Sequence, residues 1–351
     1  MPNKLETLNI ADYIENDYNN RKVLDWYFFS NLRENKFWDL LDLKYLRINL
    51  RGVDLFKTDG ITWLLDILFR RKLLGYYSLI VLPEEFSHLS FLSQVGFLNY
   101  QWLFNYQFEN EYLIHNQNFS QPNPLSKIFL IDNDYFYRIS SYISGIEKYL
   151  AKKRNIELKK FESRGIDETF GHFMEEWAIN ISTHGIPRDE KYEKNDPCIL
   201  GLLSVSLKVK EYPWIRIVFS DIGQGLYTTL LQREDKSRYL NGCKSAKDAI
   251  FTAIMYRKNY VKERVLGIYY TLGFIERNNG FFSIRNDDRF VQLNLAGEPQ
   301  KNKFLSKYQQ ESADYDWIMG LADKSDLVLP RIHGTQICID LLFDGESDAH
   351  N

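Results

Sequence analysis

The stretch Trp214-Ile-Arg-Ile-Val-Phe-Ser-Asp221-Ile-Gly223-Gln-Gly225 decides the fold of this chain. Its opening, WIRIVF, is apolar and β-branched enough to be a buried strand. Asp221 ends the strand with a carboxylate that accepts hydrogen bonds from an amino group. Gly223 and Gly225 stand at alternate positions, where positive φ and close backbone approach to a ligand are open to them. A DxGxG alone marks any turn, because Asp and Gly are turn residues. The strand in front of it, and a second pattern upstream at 176–184, make it informative.

That second pattern is Glu176, Asn180 and His184, spaced i, i+4 and i+8. On a helix these residues form one stripe. The helical segment is DETFGHFMEEWAINISTHG (167–185), which Gly185 and Pro187 end. Phe173, Trp177 and Ile181 form the neighbouring apolar stripe. Taken alone, the polar stripe reads equally as the wall of a cavity or as a solvated face. Further on, Arg264-Val265-Leu266-Gly267-Ile268 opens a helix over 265–280. A glycine at a helix start leaves backbone N–H groups free for phosphate, although it also serves as a packing glycine. Gly334-Thr335 enters a strand over 334–343 and says little by itself.

Together these residues resemble the GHKL ATPase superfamily, which includes sensor histidine kinases, anti-sigma-factor serine kinases, DNA gyrase and heat-shock chaperones. Glu176-Trp-Ala-Ile-Asn180-Ile-Ser-Thr-His184-Gly185 is similar to the family's N-box, Asp221-Ile-Gly223-Gln-Gly225 to its first glycine box, Leu266-Gly267-Ile268-Tyr269 to its second, and Gly334-Thr335 to its closing strand. The resemblance spans 165–343. It implies an α/β two-layer sandwich of the Bergerat type that binds ATP and Mg²⁺. It implies that Asn180 holds Mg²⁺ across the phosphates, a hard ion suited to an amide oxygen and its own waters. Glu176 would orient and deprotonate the attacking water or hydroxyl. Asp221 would accept the adenine amino group, and Thr335 would support the adenine end. Gly223, Gly225, Leu266 and Gly267 would let backbone approach the nucleotide, with His184 closing the N-box, and 226–263 would be the lid. A basic residue there, Lys262 or Arg264, would touch the phosphates. Val265 departs from the pattern, because it stands where the second box has a glycine and a β-branched residue resists positive φ. Slow hydrolysis is expected from that departure.

The N-terminal half carries a different order. YLRINLRGVDLF (45–56) alternates around Leu46, Ile48 and Leu50 as a half-buried strand. Thr58-Asp59-Gly60 reads as a turn, ITWLLDILFRRKLLG (61–75) as a helix ending at Gly75, YYSLIVLP (76–83) as a buried strand, and 84–98 as a helix stopped near Gly96. This β-α-β-α order predicts a small α/β domain with a right-handed crossover. Residues 1–40 read as a helical or irregular lead-in. Val53-Asp54-Leu55-Phe56-Lys57-Thr58-Asp59-Gly60-Ile61, with Pro83–Phe86 and Val95–Phe97, resembles a STAS domain over 44–100. In that family a phosphorylatable serine or threonine usually precedes the glycine. Asp59 occupies the place here, and Thr58 is the nearest hydroxyl. The expected organisation is a STAS-like α/β domain at 1–125, a helical connector at 126–165 built on an amphipathic helix at 135–153, and the GHKL domain at 166–345. PCILGLLSVSLKV (197–209) is expected beside 214–225 as an antiparallel neighbour.

Bulk properties agree with this division. The chain has 351 residues, suited to two domains, and 44% hydrophobic residues, enough for their cores. A net charge of −3 gives no global field toward nucleic acid or a membrane. The basic cluster at Lys152, Lys153, Arg154, Lys159 and Lys160 reads as a solvated helix face. Cys198, Cys243 and Cys338 show no zinc-site spacing and fit a reducing cytosol. The N-terminus lacks an apolar signal core, and no window reaches the roughly 18–20 apolar residues of a membrane helix. The expectation is a cytoplasmic regulatory protein. Its partners would be ATP and a protein partner or second copy of itself. ATP hydrolysis would switch partner binding through the STAS-like half. Transfer to a protein serine or threonine, or ATP binding without cleavage, stand as alternatives. A histidine kinase is disfavoured, because His172 lies inside the N-box helix and His115 has no helical context.

Overall fold

The computed structural model describes residues 5–107, 126–131, 141, 177, 181, 201–208, 214–221, 223, 225–231, 243–255, 271, 272, 275, 276, 280–295 and 322–342. The chain divides into two compact units, 1–128 with 204–206, and 129–203 with 207–351. The fold class is mixed α/β, with a parallel sheet in the first unit.

The first unit is built on strands β1 (Glu6–Asn9), β3 (Tyr45–Asn49), β5 (Tyr77–Val81) and β6 (Asn105–Gln107), in the spatial order β1-β3-β5-β6. All three pairings are parallel. Parallel neighbours need crossovers. Helix α3 (Thr58–Leu73) supplies the one between β3 and β5, and α4 (Phe86–Gln94) with a 3-10 turn (Phe97–Leu103) the one between β5 and β6. The alternation expected at Leu46, Ile48 and Leu50 holds, and all three are buried. Helix α3 is buried nearly all round, with Asp59, Asp66 and Arg71 among its buried residues. It ends at Gly75, whose φ of +70° provides the left-handed stop. Gly96, with φ of +94°, follows α4 in the same way.

Two expectations are corrected here. Residues 1–40 are not a lead-in, because β1 is an edge strand of the sheet and β2 (Val23–Leu24) pairs in parallel with β4 (Leu55–Phe56). Helices α1 (Trp26–Asn31) and α2 (Asn35–Leu41) add an aromatic core in which Phe29 stacks on Trp63 at 5.2 Å and Trp26 meets the same ring edge-on at 5.5 Å. Such short strands carry too few alternations to be read from sequence. Thr58-Asp59-Gly60 is not a turn but the first turn of α3. Asp59 is buried, and its Oδ2 accepts the backbone N–H of Trp26 at 3.0 Å. Gly60 lies against the backbone between Leu24 and Asp25, where a Cβ would come within 2.7 Å of Asp25 N.

The second unit is built on β9 (Trp214–Ser220), β10 (Phe281–Asn294) and β11 (Ala322–Leu342), with which β7 (Ser126–Ile131) and β8 (Gly201–Lys208) complete a five-stranded sheet in the order β10-β11-β9-β8-β7; residues 126–128 and 204–206 of those two strands are grouped with the first unit. The first residues of the expected helical connector are therefore a strand; Ser141 is helical, and the remainder of 132–165 lies outside the described residues. Strand β11 runs antiparallel to both β9 and β10. Directly opposed residues share a face. Phe282-Ile339-Ile217 and Ile284-Ile337-Phe219 make two buried apolar rows on one face. Trp177, which is helical, sets its ring 5.8 Å from Phe219. The next row on that face is polar and consists of Asn286 and Thr335, at the end of β9 where Asp221 begins. Helices α5 (Gly225–Leu231) and α6 (Ala246–Met255) follow β9. Among the described residues, no helix is long and apolar enough to cross a membrane.

Candidate functional site

Strand β9 delivers Asp221 to the end of the sheet, and β11 holds it there. The Asp221 backbone N–H donates to Thr335 O at 3.0 Å, and Gln336 Nε2 donates to Asp221 O at 3.3 Å. The carboxylate is turned back on its own loop, accepting the Gly223 backbone N–H on Oδ1 at 2.9 Å. This is an Asx-type turn, in which a short side chain replaces a backbone acceptor. The Thr335 side chain also bonds the carboxylate. Burial outweighs these bonds and pushes the Asp221 carboxyl up to about 7. A buried carboxylate that titrates near neutrality, at the end of a sheet strand, is a marker of a functional site.

The glycines around it have separate physical reasons. Gly225 has φ of +76° and Gly334 φ of +94°, both in the region that side chains resist. A Cβ on Gly225 would lie 2.8 Å from Asn286 Oδ1 and 3.5 Å from Gly334 O. The loop is therefore pressed against β10 and β11 with no room for a side chain, and its backbone is what it offers to the interior. Gly223 is buried.

The chain leaves this point through α5 and returns through α6. Ser245 and Asp248 cap α6 reciprocally: Asp248 N–H donates to Ser245 Oγ at 3.1 Å, and Asp248 Oδ2 accepts Lys244 N–H at 3.0 Å and Ser245 Oγ–H at 2.8 Å. Leu226 and Tyr227 pack on Cys243 and Ala249, and Tyr227 Oη–H donates to Lys244 O at 3.2 Å. The two ends of the connection thus meet beside the loop.

Of the residues singled out from sequence, Asp221, Gly223, Gly225 and Thr335 come together. Glu176, Asn180, His184, Leu266 and Gly267 lie outside the described residues. Trp177 and Ile181, expected on the apolar stripe of the Glu176 helix, are helical and buried. Thr271, Leu272, Ile275 and Glu276, beyond Gly267, are also helical and buried. Trp177 Nε1–H donates to Thr271 Oγ1 at 3.0 Å, so these two helices meet.

Two residues of the site escape a motif reading, Asn286 and Gln336. Both are fully buried. Asn286 had a signal: in FFSIRN the inward positions run Phe282, Ile284, Asn286, and an amide ending an apolar face requires partners. Gln336 gives none, because it follows Thr335 as any strand residue would.

Asp221, Gly223, Gly225 and Thr335 thus form one buried cluster at the end of β9, with the Asp221 carboxylate as its acceptor. No protein-family model matches this chain, and neither a curated protein nor a solved structure matches it.

Proposed function

We propose that this protein binds ATP with Mg²⁺ at the Asp221 loop, cleaves it slowly, and uses the bound nucleotide to regulate a protein partner. The observation that carries the reading is the buried Asp221 carboxylate, set at a strand end by Thr335 and Gly223, with Gly225 in positive φ beside it. The residues present fit the adenine end of a nucleotide. Asp221 accepts an amino group, and an ionised acceptor gives a charge-assisted hydrogen bond. Asn180 would hold the Mg²⁺ and Glu176 would take the proton from the attacking water, by the resemblance of their motif. ATP when bound supplies a transferable γ-phosphoryl group; the chain's part would be to hold the base and accept the proton of the attacking water.

The N-terminal unit, with its parallel sheet and α3 crossover, would be the STAS-like element through which a partner is engaged. Phosphorylation of Thr58 within the chain finds no support. Thr58 is only 2% exposed and its carbonyl accepts the Thr62 hydroxyl at 2.8 Å, so a kinase meets no presented hydroxyl there.

The test is phosphate release from ATP by the whole chain. The expected result is slow steady release in Mg²⁺, abolished by Glu176→Ala with nucleotide affinity retained. Release at background in the wild type, with ATP bound, would reduce the reading to a binding module. Label from γ-labelled ATP on a protein partner would replace hydrolysis by kinase activity.

A further inference from the structure

We propose that Asn286 is the positioning residue of the Asp221 loop, one buried amide that fixes both the point where the chain leaves the site and the point where it returns. The inference rests on the nucleotide-binding reading above. Asn286 is fully buried on β10, opposite Thr335. Its Oδ1 accepts the Leu226 backbone N–H at 2.7 Å, and its Nδ2 donates to Ala246 O at 3.5 Å. Leu226 N–H belongs to the first turn of α5, where no intrahelical acceptor exists. Ala246 opens α6. A single side chain therefore serves both helices. The amide carries on two separate atoms the donor and the acceptor that this pairing needs.

Asn286 also accounts for Gly225. The amide oxygen fills the space a Cβ would take, at 2.8 Å, while Gly225 holds φ of +76°. A path of direct contacts then runs from Asp221 N–H to Thr335 O, across the β10–β11 pair to Asn286, and from Asn286 to Leu226 N–H. Beyond Asn286 the pairing shifts register and Asp287 takes φ of +57°, so the amide occupies the last regular position of this part of the strand pair. Asn286 touches the loop rather than the nucleotide. Its effect on the ligand is transmitted through the backbone of 223–225.

The experiment uses the full chain and a fluorescent ATP analogue with Mg²⁺, titrated into wild type, Asn286→Ala, Asn286→Asp, Asn286→Leu and Asp221→Ala, with far-ultraviolet dichroism checking each fold. Asn286→Ala should weaken binding about tenfold or more, the scale of one lost buried hydrogen bond with a donor stranded. Asn286→Asp keeps the acceptor for Leu226 N–H and should recover most of that loss, whereas Asn286→Leu keeps the volume without the acceptor and should bind as weakly as Asn286→Ala; recovery in Asn286→Leu would reduce the residue to a space-filling role and overturn the proposal. If Asn286→Ala does not fold, hydrogen exchange of the Leu226 amide in the wild type takes its place: the nucleotide should slow it, and an unchanged rate would overturn the proposal. Wild-type affinity in Asn286→Ala, or equal losses in the alanine and aspartate variants, would also overturn it while Asp221→Ala still abolishes binding. If Asp221→Ala binds as the wild type does, the nucleotide reading itself fails.

Discussion

Trp177 Nε1–H donates to Thr271 Oγ1 at 3.0 Å with both side chains buried. The indole ring also lies 5.8 Å from Phe219 on β9. One tryptophan thus ties Thr271 to the strand that leads to Asp221. Trp177→Phe keeps a ring against Phe219 and removes the donor, so it should cost about 1–2 kcal/mol of stability. Trp177→Ala should cost about 3–5 kcal/mol, because the ring is lost as well. Urea unfolding of the two variants checks this; a Trp177→Phe variant as stable as the wild type would show that the hydrogen bond contributes nothing.

Asp221 sets the pH dependence of the second unit. Its carboxyl titrates at about 7 in the folded protein, raised by burial, against about 4 for an unfolded aspartate. Between those values the native state holds a proton that the unfolded state has lost. The contribution is fully present below about pH 4 and is lost as pH rises through about 7, a total of roughly 4 kcal/mol at 1.4 per unit. Asp221→Asn cannot ionise. Its stability relative to wild type should therefore improve from pH 5 to pH 8, which urea midpoints at each pH will show. A difference independent of pH would contradict the assignment.

The same titration reaches the ligand. An amino group donates best to the ionised carboxylate, so binding of an adenine nucleotide should strengthen as pH rises through about 7, by at most about tenfold per unit below it. Calorimetry in buffers of different ionisation enthalpy should also report protons released on binding at pH 6. Flat affinity between pH 6 and pH 8 would place the adenine contact elsewhere.

Arg71 is the corresponding buried charge of the first unit. Its guanidinium donates to Ser78 Oγ and Tyr77 O at 2.8 Å, to Leu43 O at 2.9 Å, and to Leu41 O. Burial lowers its pKa to about 10, which leaves it charged at neutral pH. Arg71→Met fills the volume but strands those carbonyls, and should cost about 3–5 kcal/mol. A thermal melt within a degree or two of wild type would show that the carbonyls find other donors.

The placing of Asp221 at a strand end beside Thr335 was legible because its requirements are local. A strand, an acid at its end and alternating glycines are written in one segment, and Gly334-Thr335 marks the strand that pairs beside it. The ends of α3 and α4 were equally open, since Gly75 and Gly96 stop them by positive φ. What was missed depends on distant partners. Asp59 and Gly60 read as a turn by composition, yet they begin a helix because Trp26 N–H and the Leu24 backbone lie against them. β1 is a strand because β3 offers it an edge, not because four residues alternate. Asn286 is part of the site through Leu226 and Ala246, far from it in sequence.

The most direct measurement is calorimetric titration of ATP with Mg²⁺ into the wild type and into Asp221→Ala. Binding by the wild type, with affinity lower by roughly a hundredfold or more in a folded Asp221→Ala, is the predicted result, as expected for a buried charged acceptor removed from its donor. Equal affinity in the two proteins, or no binding by the wild type, would contradict the assignment of an ATP site to the Asp221 loop.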